Sequence, residues 1–305
     1  MSADRVPFII GAYAATQGEL EWQEEFYRLL GQEEWVGGLE IPFMAGGLRE
    51  DFDWFAGQMA ENPAYRFNVL TPIPGVMSHI KDRSWGIASG DGDGRASALE
   101  FLRGAADTMR AMNDRLGRRF FSVLSLHTAP QKEADSEALR RSLDELVEWD
   151  LDGAALTIEH CDAWSDEHPV EKGFLTLEDE LKVVGELGAP NVWVSLNWGR
   201  CAIEGRNAQL PQDHIELVAG SGHLGGMILS GAQDQHDGNW GPWVDAHIGL
   251  HEHHPESVLT REGGRAAFAA ARAGSPRYIG GKVSLGDGTN AQRVAALREI
   301  YELSE

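Results

Sequence analysis

The sequence predicts an α/β protein: a single (β/α)8 TIM barrel, with eight parallel strands inside a ring of helices. Three observations predict it. Eight short apolar runs, rich in β-branched and aromatic residues, recur along the 305 residues. Most are near-continuously apolar, as strands buried on both faces are. Helical patterns lie between most of them, and strand–helix repeated eight times describes a closed parallel barrel. An open doubly wound sheet would bring a glycine-rich phosphate turn after its first strand. Here that segment reads Ala14-Ala15-Thr16-Gln17-Gly18, with no G-x-G-x-x-G.

Taken in order, the run Pro7–Ala15 leads to a helical pattern over Glu19–Leu30, and Trp35–Phe43 leads to one over Asp51–Glu61. Tyr65–Pro72 precedes Ala96–Leu116, and Phe120–Ala129 precedes Asp135–Trp149. Gly153–Asp162 is followed by Thr176–Leu187, Asn191–Gly199 by Pro211–Ala219, and Leu224–Ala232 by Gly263–Ala273. Tyr278–Gly286 is the eighth run, and Thr289–Leu303 closes the chain. Thr289 or Asn290 suits a helix cap ahead of the apolar positions Val294, Leu297, Ile300 and Tyr301. The most irregular stretches, Ile73–Arg95 and Gln233–Thr260, both follow a strand. In a barrel they are βα loops, which carry function. No linker interrupts the pattern, so residues 1–305 read as one domain.

Composition narrows the function. Lys and Arg total 26 against 48 Asp and Glu, a formal charge of −22. No basic stripe interrupts the acidity, which disfavours nucleic acid and anionic membrane surfaces as partners. An anionic small molecule stays compatible, because a few local cations can capture it. Cys161 and Cys201 are the only cysteines, and no disulfide framework is expected. The N-terminal segment MSADRVPFIIGAYAA has no signal-peptide pattern and no apolar run reaches about 18 residues, so a cytoplasmic protein is expected.

The main functional signal is where polarity returns. In chain order the strand ends offer Tyr13, Glu40, Thr71, His127, Glu159 with His160, Asn197 with Trp198 and Arg200, Ser230 with Gln233, and Lys282 with Ser284. Strand C-termini are where barrel enzymes place their chemistry. Carboxylate and imidazole groups suit proton transfer. Lys282 suits an oxyanion, and Arg200 suits a bidentate clamp on a carboxylate, phosphate or sulfonate. Trp198, Trp240 and Trp243 offer flat faces for a sugar ring. His160, directly after Glu159, should point the opposite way along a strand. The loop cluster His247, His251, His253 and His254 has the look of a metal-binding set, but loop histidines of this kind are commonly solvated, and SGDGDG at Ser89–Gly94 lacks the full frame of a calcium loop.

Several of these residues resemble the xylose-isomerase-like TIM barrel superfamily of sugar isomerases and epimerases. They are Glu40 in GGLEIP, His127 in LSLHTA, Glu159 in LTIEH, Asn197 in VSLNW, and the pair Asp245 and His247 in GPWVDAH. The resemblance implies an aldose–ketose isomerase working by enediol proton transfer on a small, anionic monosaccharide. A branch associated with sulfosugars would convert sulfoquinovose to sulfofructose. Glu159, His127, Lys282 and His247 are then the catalytic candidates. Glu40, Asn197, Trp198, Arg200, Gln233 and Asp245 are the substrate-binding ones. Metal-dependent relatives hold a divalent ion with Glu, Asp, His and Glu from strands 5 to 8. Here Asn197, the motif MILSGA and Lys282 or Ser284 replace three of those four. No required cofactor is therefore expected, with Mn, Mg or Zn on a displaced set of His127, Glu159, Asp245 and His247 as the alternative. The rival functions are a divalent-metal-dependent epimerase or dehydratase, and a sugar-binding barrel without chemistry. The expected partner is a small-molecule sugar, and the fold is compatible with association of identical copies.

Overall fold

Strands buried on both faces form the inner layer of the computed structural model, which describes residues 5–16, 19–284, 286 and 288–305. Residues 1–4 of the N-terminal segment, Gln17 and Gly18 of the first βα segment, and Leu285 in the eighth run lie outside the described residues. The first quarter of the chain contributes β1 (Phe8–Ile10), α1 (Ala12–Ala15), α2 (Leu20–Gly31), β2 (Gly38–Met44), β3 (Gly47–Leu48), α3 (Phe52–Glu61) and β4 (Asn68–Thr71). There follow α4 (Ile73–Met77), α5 (Gly92–Leu116), β5 (Phe121–Leu126), α6 (Ser136–Leu146), β6 (Ala155–Glu159) and α7 (Leu177–Leu187). The chain continues through β7 (Val192–Asn197), α8 (Trp198–Gly205), α9 (Leu210–Ser221) and β8 (Leu224–Leu229). It ends with α10 (Arg261–Ala273), β9 (Tyr278–Gly281) and α11 (Asn290–Glu302). The strand order is β1-β9-β8-β7-β6-β5-β4-β2-β3, and β1 also pairs with β2, so eight strands close into a TIM barrel. The ninth, β3, is an antiparallel extension of β2. Among the described residues no helix is long and apolar enough to cross a membrane.

The chain divides into two compact units, Met1–Glu40 with Gly57–Asn68 and Leu196–Glu305, and Ile41–Ala56 with Val69–Ser195. In the first, β1 lies between β2 and β9, with Ile9 opposite both Gly38 and Gly280. The register of β8 and β9 runs from Gly226–Tyr278 to Leu229–Gly281, which delivers Lys282 one residue past the strand. Thr289 caps α11 with a full capping box, its side chain taking the Gln292 N–H while Gln292 takes the Thr289 N–H. Buried Arg293 of α11 donates to the carbonyls of Ala15 at 2.8 Å, Gly286 at 2.6 Å and Gly288 at 3.3 Å. It thereby ties the segments after β1 and β9 to one helix. In the second unit β5, β6 and β7 run parallel in register from Val123–Ala155 to Glu159–Ser195, and α6 packs on α7.

Three differences from the sequence expectation have local causes. Tyr13 stands on the one-turn helix α1, not on a strand end, because β1 stops at Ile10. The segment WGRCAIEG folds as α8 directly from β7. Asn197 ends the strand and caps the helix, its Oδ1 accepting the Arg200 N–H at 3.3 Å. The long helix α5 begins inside SGDGDG, because Asp91 Oδ1 accepts the Gly94 N–H at 2.7 Å. That cap outweighs the poor helix propensity of the two glycines. A side chain at Gly94 would also place its Cβ 1.9 Å from the Ser84 carbonyl oxygen.

Gly38 starts β2 because the backbone of Phe67 runs against it; a Cβ there would stand 1.6 Å from the Phe67 oxygen. Two main chains cannot yield as a side chain tip can. Gly38→Ala is expected to cost about 3 kcal/mol or more in urea unfolding. An unchanged midpoint would show that β2 is not pinned there.

Candidate active site

The first unit builds its site outward from Asn197. Its Oδ1, already accepting from the Arg200 N–H, also accepts the Ser230 Oγ–H at 2.9 Å. With the oxygen so engaged, the amide Nδ2 is left as a buried donor without a partner among the described residues. An unmet buried donor is costly, and a ligand oxygen is the usual resolution at a strand end. Three residues on, Arg200 is 1% exposed. A buried guanidinium needs a carboxylate, and its Nε meets Asp245 Oδ2 at 3.0 Å.

Asp245 uses its other oxygen on His247. Oδ1 lies 3.0 Å from His247 Nδ1. An ionised carboxylate only accepts, so Nδ1 carries the proton and Nε2 keeps a lone pair. Ser230 Oγ stands 3.4 Å from the same Nδ1. Burial pushes the His247 pKa down to about 4, against the pull of Asp245 and with further lowering from Lys282 and Arg200. The imidazole is thus neutral throughout the physiological range. Its backbone is left-handed at φ 52°, a conformation uncommon for any residue but glycine. The Ser284 N–H holds it there, donating to the His247 carbonyl at 2.6 Å. Strain of this kind collects at functional sites.

Lys282 is fully buried. Its Nζ donates to Glu40 Oε1 at 3.3 Å and to the Tyr13 hydroxyl, and it lies 4.4 Å from the centroid of the Tyr13 ring. Its stem crosses Gly11, where a Cβ would come within 2.5 Å of Lys282 Cγ. Glycine before α1 is therefore what admits the ammonium to this depth. Gln233 and Trp198, both expected to bind substrate, do other work. Gln233 Nε2 donates to the carbonyls of Gln235 at 2.8 Å and Trp240 at 2.9 Å, bracing the loop after β8. Trp198 is 2% exposed in the first turn of α8.

The second unit holds a carboxylate–imidazole pair of its own. Glu159 ends β6, and its Oε2 lies 2.9 Å from His127 Nε2, which follows β5; Thr71 Oγ1 is 3.5 Å away. Both Glu159 and His127 are buried. His160 points to the opposite face, as strand alternation requires. Its Nδ1 meets Glu180 Oε2 of α7 at 2.8 Å, while Thr128 donates to Glu180 Oε1 at 2.7 Å. Sequence reasoning found Asp245 and His247 as a pair but missed that Asp245 is shared with Arg200. The 45 positions that separate them carry no signal of that contact. It also missed Tyr13 as a partner of Lys282.

For a divalent cation, the first unit offers the Glu40 carboxylate, bonded to Lys282 at 3.3 Å, beside an amide, a hydroxyl and an ammonium at Asn197, Ser230 and Lys282. Hard cations need several anionic oxygens, and an ammonium has no lone pair to give. Asp245 is already divided between a guanidinium and an imidazole N–H. This donor set does not fit a metal centre.

The architecture and the strand-end chemistry together define an α/β barrel of the TIM class. The chain belongs to the family described as Domain of unknown function (DUF4862), whose model matches residues 9–296. It is 30% identical over 265 residues to the uncharacterized protein STM3670 of Salmonella typhimurium, covering 84% of this chain and 82% of that one. Among solved structures it is similar to a xylose isomerase-like TIM barrel/4-hydroxyphenylpyruvate dioxygenase fusion protein, with a TM-score of 0.63 and 14% identity. That match covers 99% of this chain, which spans only 43% of the fusion. A D-tagatose 3-epimerase-like protein matches with a TM-score of 0.63 and 14% identity over 98% of each chain. Sugar 3-epimerases recur among the structural neighbours. At these identities the likeness shows the fold.

The neutral His247 makes stability pH-dependent with a definite sign. An unfolded imidazole takes its proton near 6.5 and the native one near 4. Between those values the unfolded state binds the extra proton, so this contribution shrinks as pH falls from 6.5 to 4. Integrated over that window it amounts to roughly 3 kcal/mol. Chemical denaturation of the wild type and His247→Asn at pH 7 and pH 4.5 should show the wild type losing stability more steeply. Parallel losses would mean that His247 is not held neutral.

Proposed function

We propose that the protein is a sugar isomerase that moves a proton between C2 and C1 of an aldose through an enediol. The carrying observation is the Arg200–Asp245–His247 relay, which presents a neutral imidazole of fixed tautomer on the unit that also buries Lys282. In this reading His247 Nε2 takes the C2 proton, and Asp245 stabilises the imidazolium that forms, as an orienting carboxylate does. Lys282 faces the oxygen that becomes anionic as the enediolate develops, where fixed charge lowers the barrier most. The Tyr13 hydroxyl, bonded to Lys282, passes a proton to the C1 oxygen and recovers one from the C2 hydroxyl as the C2 carbonyl forms, while the His247 imidazolium returns its proton to C1. Asn197 Nδ2 donates to a sugar hydroxyl. Arg200 holds Asp245 in place. The chemistry needs no metal, in keeping with the donor set.

An anionic substituent on the sugar, such as the sulfonate of sulfoquinovose, is compatible with the two cations that the first unit buries, Arg200 and Lys282. A second reading is epimerisation by the same proton abstraction. It is favoured by the recurrence of 3-epimerases among the structural neighbours.

Both readings are tested in one experiment. EDTA-treated protein is incubated in D2O with neutral aldoses and ketoses and with sulfoquinovose, and NMR follows ketose formation and loss of carbon-bound protons. Isomerisation gives deuterium at the carbon receiving the proton, and epimerisation gives an epimer. His247→Asn and Lys282→Met are expected to lower kcat by about 10²–10⁴-fold each, with Glu159→Gln assayed beside them. Absence of turnover and exchange across the panel discards the proposal. Activity that returns only with added Mn²⁺ would show that a cation does the work assigned to Lys282.

A further inference from the structure

The backbone that carries His247 forms one wall of a cavity of about 640 Å³ in the first unit, which the chemistry above does not use. Ala246 and Ile248, on either side of His247, line it. Asp237, Asn239, Trp240, His254 and Ser284 supply its larger side chains. Trp240 is 49% exposed, among the most exposed of the large apolar residues. Loop mobility does not account for that exposure. Gln233 binds the Trp240 carbonyl, and Asp237 Oδ1 accepts the N–H groups of Asn239 at 2.8 Å and Trp240 at 2.7 Å. The loop is built to present an indole to solvent, at the cost of leaving a large apolar face wet.

An indole face beside amide and hydroxyl groups matches a sugar ring, whose C–H face is apolar and whose rim is hydroxylated. Charge selects the kind of ring. The backbone N–H groups on Asp237 hold its carboxyl below the usual range, so it is ionised. Burial lowers the His254 pKa, which leaves its ring neutral. Among the described residues the wall carries one fixed negative charge, which repels phosphate, sulfate and carboxylate groups and accepts an uncharged ring.

We propose that this cavity is a second carbohydrate subsite, for an uncharged pyranose ring linked to the sugar that reacts at His247. The natural substrate is then a disaccharide whose reducing-end sugar is converted. The inference rests on the isomerase reading for what happens at His247, and it adds a reason for the cavity to border that residue. Ser284 both lines the cavity and holds the His247 carbonyl. Binding energy from the remote ring is thus delivered to the peptide that orients the imidazole.

The test reads binding alone, so it stands or falls apart from turnover. Cellobiose, lactose, maltose and glucose are titrated into the full-length protein by calorimetry and saturation-transfer NMR. At least one disaccharide is expected to bind about tenfold tighter than glucose, with saturation transfer to both of its rings. Trp240→Ala should abolish that advantage while leaving glucose binding and thermal stability unchanged, and Trp240→Phe should restore most of it. Disaccharides binding no tighter than glucose would overturn the proposal. So would a Trp240→Ala variant that weakens glucose and disaccharides alike.

Discussion

One carboxylate organises the first unit. Asp245 stands between the guanidinium of Arg200 and the Nδ1–H of His247, at 3.0 Å from each. Without it Arg200 would lose a carboxylate partner in a low-dielectric interior, and losing one member of such a pair costs several kcal/mol. His247 would lose the carboxylate that holds its proton on Nδ1. Because Arg200 is the third residue of α8, and α8 is capped by the residue that ends β7, the loop carrying Asp245 is moored to the barrel wall. The same contact that closes the fold locally also sets the chemistry of the imidazole.

Buried ion pairs are poor evidence for stability, since apolar replacements of the same shape often do better. Their persistence is better evidence for function. The first unit buries Lys282 against Glu40 and Tyr13, and the second buries His127 against Glu159. His160, the residue directly after β6, supplies the contrast. It is as deeply buried as Glu159, yet it points the other way, to Glu180 of α7, and the two lock that helix to the strand end with help from Thr128. Neighbouring positions in a strand thus divide chemistry from architecture by the direction of one Cα–Cβ bond.

The strain at His247 and the depth of Lys282 share a physical origin. Each is a polar group brought where polar groups are expensive, and each is held by surroundings with no alternative arrangement. Gly11 gives way to the lysine stem. The Ser284 N–H fixes the left-handed peptide at His247. Preorganisation of this sort lets charge develop in a transition state without the reorganisation that water would require.

The sequence by itself determined the barrel, because eight apolar runs of strand length can all be buried only in a layer covered on both faces. It also determined that Thr71, Glu159 and Asn197 stand at strand ends, although Tyr13 falls on α1 and Glu40 inside β2, and that Glu159 and His160 face opposite ways, since side-chain alternation is a local property. The capping of α11 at Thr289 was legible for the same reason. The start of α5 at Asp91 and the separate helix α8 were not. Two glycines masked the one start, and the continuation of the apolar run of β7 through Trp198 and Gly199 masked the other. The tertiary structure alone decided that Arg200 serves Asp245, that Tyr13 meets Lys282, and that Gln233 braces a loop. Those partners lie 45 or more residues apart, or in a loop whose path no periodicity encodes. Such contacts are settled by packing geometry and the cost of an unpaired buried charge.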